Sequence, residues 1–444
     1  MAAVMCENDQ ADSSSLKALE SSPNTRCVFF YEGNVDGSAA IASRTDFPCF
    51  DSLSGEHVLF DNAATTQKPA AVIEAVLDQL RGPCASPYRG VHSAAQKAEA
   101  ALEQARVQVA TFLGAAPENI VFCGGCTDGL NHLAWSIGES LIRPGDEVIV
   151  TDLEHHSNLL PWQQMCKRKS ARLVIAKASE SADIEPHSIE KLISSRTRVI
   201  ALAHVSNITG GIAPIADIAA ITCKIGALLV VDGAQGAAHV EFNVPDLGCD
   251  FYVCSGHKMY GPPGCGFIWV APGREQHLLR PWRVGGGSIS TINEAGPVFL
   301  NFPRSLEGGT PNLPAIVGMG TAATYLQRLG KHRIETYEQS LVRAAVAGLE
   351  NIELVRLVGA PVRKSSIVSF TVAGAHPHDV ASILSERGFA TRAGHHCAIP
   401  ATRRFCPDGS VRISLGVYNT ISEVQEFLDT MRQIVEMFRD KERE

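Results

Sequence analysis

From about Val58 onward, short apolar runs alternate with amphipathic stretches. Ala70 to Leu80 reads as a helix, because Val72, Ala75, Val76 and Leu80 fall at spacings of three and four and so share one face. The same period runs from Ala94 to Leu113 and stops at Gly114, a residue suited to closing a helix. Strand-like runs follow at Asn119–Phe122, Glu147–Val150, Leu173–Ile175, Arg198–Leu202, Ala227–Val231 and Asp250–Cys254. Between Val148 and Val231 they are separated by helical or polar segments of βαβ length. Strands that are apolar at nearly every position and spaced by helices predict an α/β fold with a mostly parallel sheet covered on both faces. Pro314 to Leu329, continuing to Leu349, reads as helical. Short strands (Ser366–Val372, Val411–Leu415) and helices (Asp379–Arg387, Ser422–Arg439) then predict a smaller α+β domain. The expected division is an extension without fixed structure over 1–45, a large domain over 46–312 and a small C-terminal domain over 313–444.

Composition narrows the function classes. With 45% hydrophobic and 19% charged residues over 444 positions, the chain can bury a core large enough for two domains. A formal net charge of -8 argues against a nucleic-acid-binding surface. No apolar run approaches the roughly 18 residues that span a bilayer, so no membrane role is expected. The 13 cysteines are odd in number and irregularly spaced. Cys123 and Cys126 form a C-x-x-C, but no second pair follows at zinc-site spacing, so free thiols and no metal are expected. The first 45 residues hold Ser13-Ser14-Ser15 and several acids (Glu7, Asp9, Asp12, Glu20). They carry neither a basic transit signature nor an apolar signal region. A cytoplasmic location is the default, with an organelle as the alternative. The chain has neither a G-x-G-x-x-G fingerprint nor a Walker A loop, which removes support for nicotinamide or ATP chemistry.

The chemistry-bearing residues gather where parallel sheets bind ligands, beyond the carboxyl ends of strands. Ser255-Gly256-His257-Lys258 follows the sixth strand and Asp232-Gly233-Ala234-Gln235 the fifth. Glu154-His155-His156 stands just past the Val148 strand, and Gly124-Gly125-Cys126-Thr127 turns out of the Phe122 strand into a helix whose first N–H groups suit a phosphate. Each alone has an ordinary explanation: a solvated lysine, a turn aspartate, a structural histidine, a plain glycine turn. The set together matches what pyridoxal 5'-phosphate (PLP) chemistry needs: a lysine to hold it, a carboxylate for the ring nitrogen, an imidazole and a phosphate cup.

From about Arg44 to its end the chain resembles the class V aminotransferases, and among them the group II cysteine desulfurases and related selenocysteine lyases. The segments that carry the resemblance are DNAATTQKP (61–69), RGVH (89–92), EHHSNLLPWQ (154–163), VDGAQ (231–235), SGHKMYGPPG (255–264), EGGTPN (307–312), RAGHHCA (392–398) and VRISLGVYNT (411–420). The resemblance implies a PLP-dependent transferase of fold type I. Lys258 would carry PLP and, once released, take the α-proton. Asp232 would pair with the ring nitrogen, and Gln235 with the ring hydroxyl near Asn207. His155 would stack on the ring. Thr127, Ser255 and His257, with Cys126 beside them, would hold the phosphate, and Thr310 would reach it from a second subunit. Arg412 would take the substrate carboxylate, helped by Arg392 and Asn207.

Cys397 selects the reaction. As a nucleophile it would take sulfur from L-cysteine as a persulfide, leaving L-alanine, with His395, His396 and Arg392 favouring the thiolate. Its rivals are an inert thiol and a His-His-Cys metal site. The metal site is disfavoured because neighbours in a strand point to opposite faces. The implied partners are a second copy of the chain and a sulfur-acceptor protein, as in iron-sulfur cluster assembly. L-selenocysteine is the alternative substrate. A different class V aminotransferase or lyase, which would not need Cys397, and a non-catalytic scaffold are weaker alternatives. Three departures from the family pattern, Cys126, Tyr88 and the Asn207-Ile208-Thr209-Gly210 run, are expected near cofactor or substrate.

Overall fold

The computed structural model describes residues 40–52, 58–278 and 280–441. A seven-stranded sheet forms its centre: β1 (Ile120–Cys123), β2 (Glu147–Thr151), β3 (Arg172–Ala176), β4 (Thr197–Ala203), β5 (Leu228–Asp232), β6 (Phe251–Ser255) and β7 (Gly266–Val270). Their order is β1-β7-β6-β5-β4-β2-β3. β3, β2, β4, β5 and β6 run parallel. β7 is antiparallel to both its neighbours. Two reversals in succession restore direction, so β1 points the same way as β6. The carboxyl ends of six strands therefore lie along one edge.

Every residue of β2, β5, β6 and β7 is buried. Helices on both faces leave no side for water, which is why these strands read as continuous apolar runs. The seventh strand, β7, has the sequence Gly-Phe-Ile-Trp-Val and was not anticipated. It follows a glycine- and proline-rich turn and is antiparallel, so it has no helix before it to announce it.

The helices α1 (Ala70–Arg81), α2 (Ser93–Leu113), α3 (Cys126–Ser140) and α4 (His156–Lys169) cover this sheet together with α5 (Ile215–Lys224). Gly114 closes α2 in the left-handed conformation, φ 68°, as its position suggests. On α1, Val72 is buried, whereas Leu80 is 57% exposed, against the expectation that it shares the buried face. At 100° per residue, eight positions rotate Leu80 about 80° away from Val72. The long helical stretch after Pro314 is two helices, α6 (Leu313–Leu329) and α7 (Lys331–Glu350), broken at Gly330. α6 packs Ala315, Ile316, Met319 and Ala323 into the core of the large sheet.

A second sheet comprises β8 (Val355–Leu357), β9 (Ile367–Val372), β10 (Arg392–Gly394) and β11 (Ser410–Ser414), in the order β8-β9-β11-β10 and antiparallel throughout. Helices α8 (Pro377–Glu386) and α9 (Ile421–Lys441) accompany it, and β9, β11 and α9 share one core. Most of the expected N-terminal extension lies outside the described residues. Its last residues are packed: Ala42 is buried and donates its N–H to the Val417 carbonyl at 3.0 Å, and Arg44 pairs with Glu423. Among the described residues no helix is long and apolar enough to cross a membrane, and every described cysteine is a free thiol.

Candidate active site

The carboxyl edge of the large sheet meets the end of the small one in a cavity. Lys258, Asp232, His155, Gln235, Asn207, Cys126, Thr127, Ser255, His257, Arg392, His396, Cys397 and Arg412 line it, with Ala63 and Ala64. Its floor follows from the sheet. Asp232 is the last residue of β5 and Ser255 of β6, so both face the crevice that strand ends leave open. Lys258 ends the tight turn Gly256–Lys258 directly after β6. Burial lowers the Lys258 amine below its usual range, while the facing Asp232 carboxylate opposes that shift.

Asp232 is 5% exposed. Its Oδ1 accepts from the Ala234 N–H at 2.9 Å and lies 3.1 Å from the Cys126 Sγ. His155 caps the N-terminus of α4, its Nδ1 accepting from the Ser157 N–H at 3.1 Å. That bond places the proton of the neutral ring on Nε2. Burial, and then the neighbouring Lys258, push His155 down to about 4, so the ring is neutral at pH 7. Gly125, at φ 138°, makes the turn into α3, and Ser255 Oγ accepts from the Cys126 N–H at 2.7 Å. Thr127 Oγ1 and Ser157 Oγ are bonded at 2.7 Å beside the first turn of α3.

The opposite end of the cavity is cationic. Arg392 and Arg412 are cross-strand partners on β10 and β11, which sets them side by side. Arg412 Nη1 donates to the Asn207 carbonyl at 2.9 Å, and Nη2 pairs with Asp61 Oδ1 at 3.1 Å. Among the described residues its Nε has no partner. Burial lowers Arg412 to about 10, with Asp61 acting against the shift; at that value it remains charged near neutrality.

His396 and Cys397 follow β10 in a turn, with φ of 51° and 56°. They are not strand residues, so strand alternation is not what separates His395, His396 and Cys397. His396 Nε2 lies 3.1 Å from the Ser410 carbonyl and 3.0 Å from the Ser410 hydroxyl. Cys397 is exposed, and its own carbonyl is held by the His156 N–H at 2.8 Å.

The chain's sequence matches the class-V aminotransferase family model over residues 58–427. The chain belongs to the class-V aminotransferase family. A Pseudomonas putida relative, named a probable cysteine desulfurase, is 40% identical over 89% of this chain and 98% of its own length. A Mycolicibacterium paratuberculosis relative of the same name is 39% identical over 89% of this chain, which spans only 58% of that longer protein. The solved cysteine desulfurase of Thermococcus onnurineus superposes with a TM-score of 0.84 at 36% identity, covering 88% of this chain and 97% of that one. The Escherichia coli cysteine desulfurase CsdA gives 0.82 at 32% identity, covering 89% and 98%.

Within this class-V cavity the residues fit PLP. Gln235 Oε1 and Asn207 Oδ1 are buried without a hydrogen-bond partner among the described residues, an arrangement that costs free energy unless a bound group supplies donors. Among the described residues no hydrogen bond is made to Asp232 Oδ2. Gln235 Nε2 and Asn207 Nδ2 are already held, by the Ala63 carbonyl at 2.8 Å and the His396 carbonyl at 2.6 Å, so both side chains are fixed.

Two of the residues singled out above line another cavity. Thr310 does not line this cavity but a second one, with Tyr88, Arg89, Arg304 and the Gly286-Gly287 turn. Tyr88, expected near the substrate, lies under the Arg304 guanidinium there, 3.7 Å from it, and bonds to Glu103. Ile208 is fully buried in a small apolar cluster with Ala398 and Ala401. Cys126 lines the cavity, but its Sγ points at Asp232 and not at the phosphate turn. Sequence reasoning assigned no role to Asp61, Ala63 or Ala64. The segment DNAATT was legible as a motif, but its contact with β11 spans some 350 positions and no local pattern reveals it.

Proposed function

We infer that the chain is a PLP-dependent cysteine desulfurase that converts L-cysteine to L-alanine and leaves the sulfur as a persulfide on Cys397. The observation that carries this reading is one cavity holding a half-buried lysine, a buried carboxylate and an exposed cysteine. The relatives named cysteine desulfurase, matched across nearly nine-tenths of the chain, support it.

Lys258 would hold the cofactor, with Asp232 at the ring nitrogen, Gln235 and Asn207 at the ring hydroxyl and His155 against the ring. Thr127, Ser255, His257 and the N–H groups opening α3 would take the phosphate. When bound, PLP supplies the electron sink that lets a proton leave the substrate Cα. Arg412 and Arg392 orient the substrate carboxylate. Lys258, kept toward its neutral form by burial, takes the α-proton. The Cys397 thiolate attacks the substrate Sγ: an S–S bond forms, the Cβ–S bond breaks and its electron pair stays with carbon. That carbon takes up a proton and alanine leaves.

An exposed Cys397 persulfide is open to a thiol acceptor, in line with the acceptor protein that group II relatives use. Thr310, set beside Arg89 and away from its own chain's cavity, would complete the phosphate cup of a second subunit in a homodimer.

The test is a side-by-side assay on L-cysteine and L-selenocysteine, measuring alanine and released sulfide or selenide. Sulfide release from cysteine that is lost in Cys397→Ser supports the desulfurase. Full cysteine turnover in Cys397→Ser overturns it, and a strong preference for selenocysteine reassigns the chain as a selenocysteine lyase.

A further inference from the structure

One buried group of the cavity has no part in the reading above. Cys126 opens α3 and is 4% exposed. Its main-chain N–H is fixed by Ser255 Oγ at 2.7 Å, which aims its side chain under the cavity floor. There Sγ lies 3.1 Å from Asp232 Oδ1 and 3.6 Å from the Val253 carbonyl. The carboxylate is both the nearer and the charged acceptor, so it takes the S–H.

We propose that Cys126 is a positioning residue: its S–H donates to Asp232 Oδ1, which turns Oδ2 toward the cavity and tunes the charge that Asp232 presents to the cofactor's ring nitrogen. The proposal rests on the PLP reading. Oδ1 then carries two donors, Cys126 and the Ala234 N–H, and a carboxylate bonded twice on one oxygen cannot rotate freely. Burial first, and the neighbouring Asp232 carboxylate next, push the Cys126 thiol well above its ordinary range, which keeps it protonated and therefore a donor. The other charged or titratable groups facing Asp232 come from three elements. They are Lys258 after β6, His155 and Glu154 before α4, and Cys254 and Tyr252 on β6. Among the described residues none of these is hydrogen-bonded to Oδ1. A thiol is a weaker donor than the hydroxyl of a threonine or serine, so sulfur here leaves more of the charge for the ring nitrogen.

The test compares wild type with Cys126→Ala and Cys126→Ser as holoenzymes. In the first measurement, the cofactor's visible band is titrated with pH to locate the step at which the Asp232–ring nitrogen pair releases its shared proton. Loss of the donor in Cys126→Ala should raise that midpoint by about 0.5–1 pH unit. Cys126→Ser, equally short of sulfur volume but still a donor, should stay at or below the wild-type value. A midpoint common to all three proteins, or the same shift in Ala and Ser, overturns the proposal. The second measurement is the infrared S–H stretch, isolated as wild type minus Cys126→Ser. A band displaced to lower frequency from a free thiol is expected, and a band at the free-thiol position overturns the proposal even where Cys126→Ala fails to fold. Absence of any cofactor band in wild type would instead sink the PLP reading, while the infrared band would still decide the hydrogen bond.

Discussion

Replacing Arg412 with Gln removes a guanidinium that is 2% exposed and already half committed. Nη1 is spent on the Asn207 carbonyl and Nη2 on Asp61, and Nε is the buried donor left over. A substrate carboxylate is therefore expected at Nε, sharing Nη2 with Asp61. Two charge-assisted bonds at about 1.5 kcal/mol each come to about 3 kcal/mol, or roughly a 150-fold fall in kcat/KM. The fold should survive, because Asp61 is one-third exposed and is not stranded in the interior. The assay is steady-state sulfide release, with a thiol reductant present, from L-cysteine and from cysteamine, which lacks the carboxylate. Wild type should discriminate strongly between them and Arg412→Gln hardly at all. Arg412→Lys, with the charge but not the fork, should fall between. If Arg412→Gln still prefers cysteine by the wild-type factor, the carboxylate is bound elsewhere and the role given to Arg412 is wrong.

Other consequences are as open to measurement. A Cβ on Gly266 would lie 2.3 Å from the Cys254 carbonyl oxygen and 2.7 Å from the Gly125 Cα. Both are backbone atoms, so Gly266→Ala should displace the phosphate turn, cost about 1–3 kcal/mol and lower the PLP retained on purification. Gly285→Ala, with nothing within 4 Å, should keep wild-type PLP content, and equal content in both variants would refute the steric argument. Arg106 is 3% exposed and bonds Glu307 at 2.7 and 2.9 Å. Arg106→Met leaves that carboxylate without its cation, and the urea midpoint should fall by the equivalent of about 3–5 kcal/mol; a change below about 1 kcal/mol would contradict it. Burial lowers His132 to about 4 and His204 to about 3. The unfolded chain therefore binds protons first, at about pH 6.5. The stability these groups contribute is intact above that pH and is lost as pH falls toward 4. Urea unfolding at pH 7.5, 6 and 5 should show the decline, less steeply in His132→Gln, and a flat profile would count against it.

The sequence alone determined most of the sheet and the chemistry on its edge. Six of the seven strands were legible, five of them because burial on both faces leaves a nearly unbroken apolar signature, and Asp232, Ser255 and Lys258 were legible because they stand at or just past the ends of such strands. The class-V motifs carried Cys397 and Arg412 with them. Tertiary structure decided the rest. The strand β7 went unread because it is antiparallel, entered from a tight turn and unannounced by a helix. Leu80 was misplaced because a spacing of eight drifts off the helix face, and only the packing of α1 shows which residues it covers. Asp61 meets Arg412, and Asn207 meets His396, across separations of 351 and 189 positions. Periodicity is a local quantity and carries no information about which distant segments a fold brings together. For the same reason Cys126 reads in sequence as a member of the phosphate turn, and only the packing of α3 against β6 and β7 brings its thiol to Asp232.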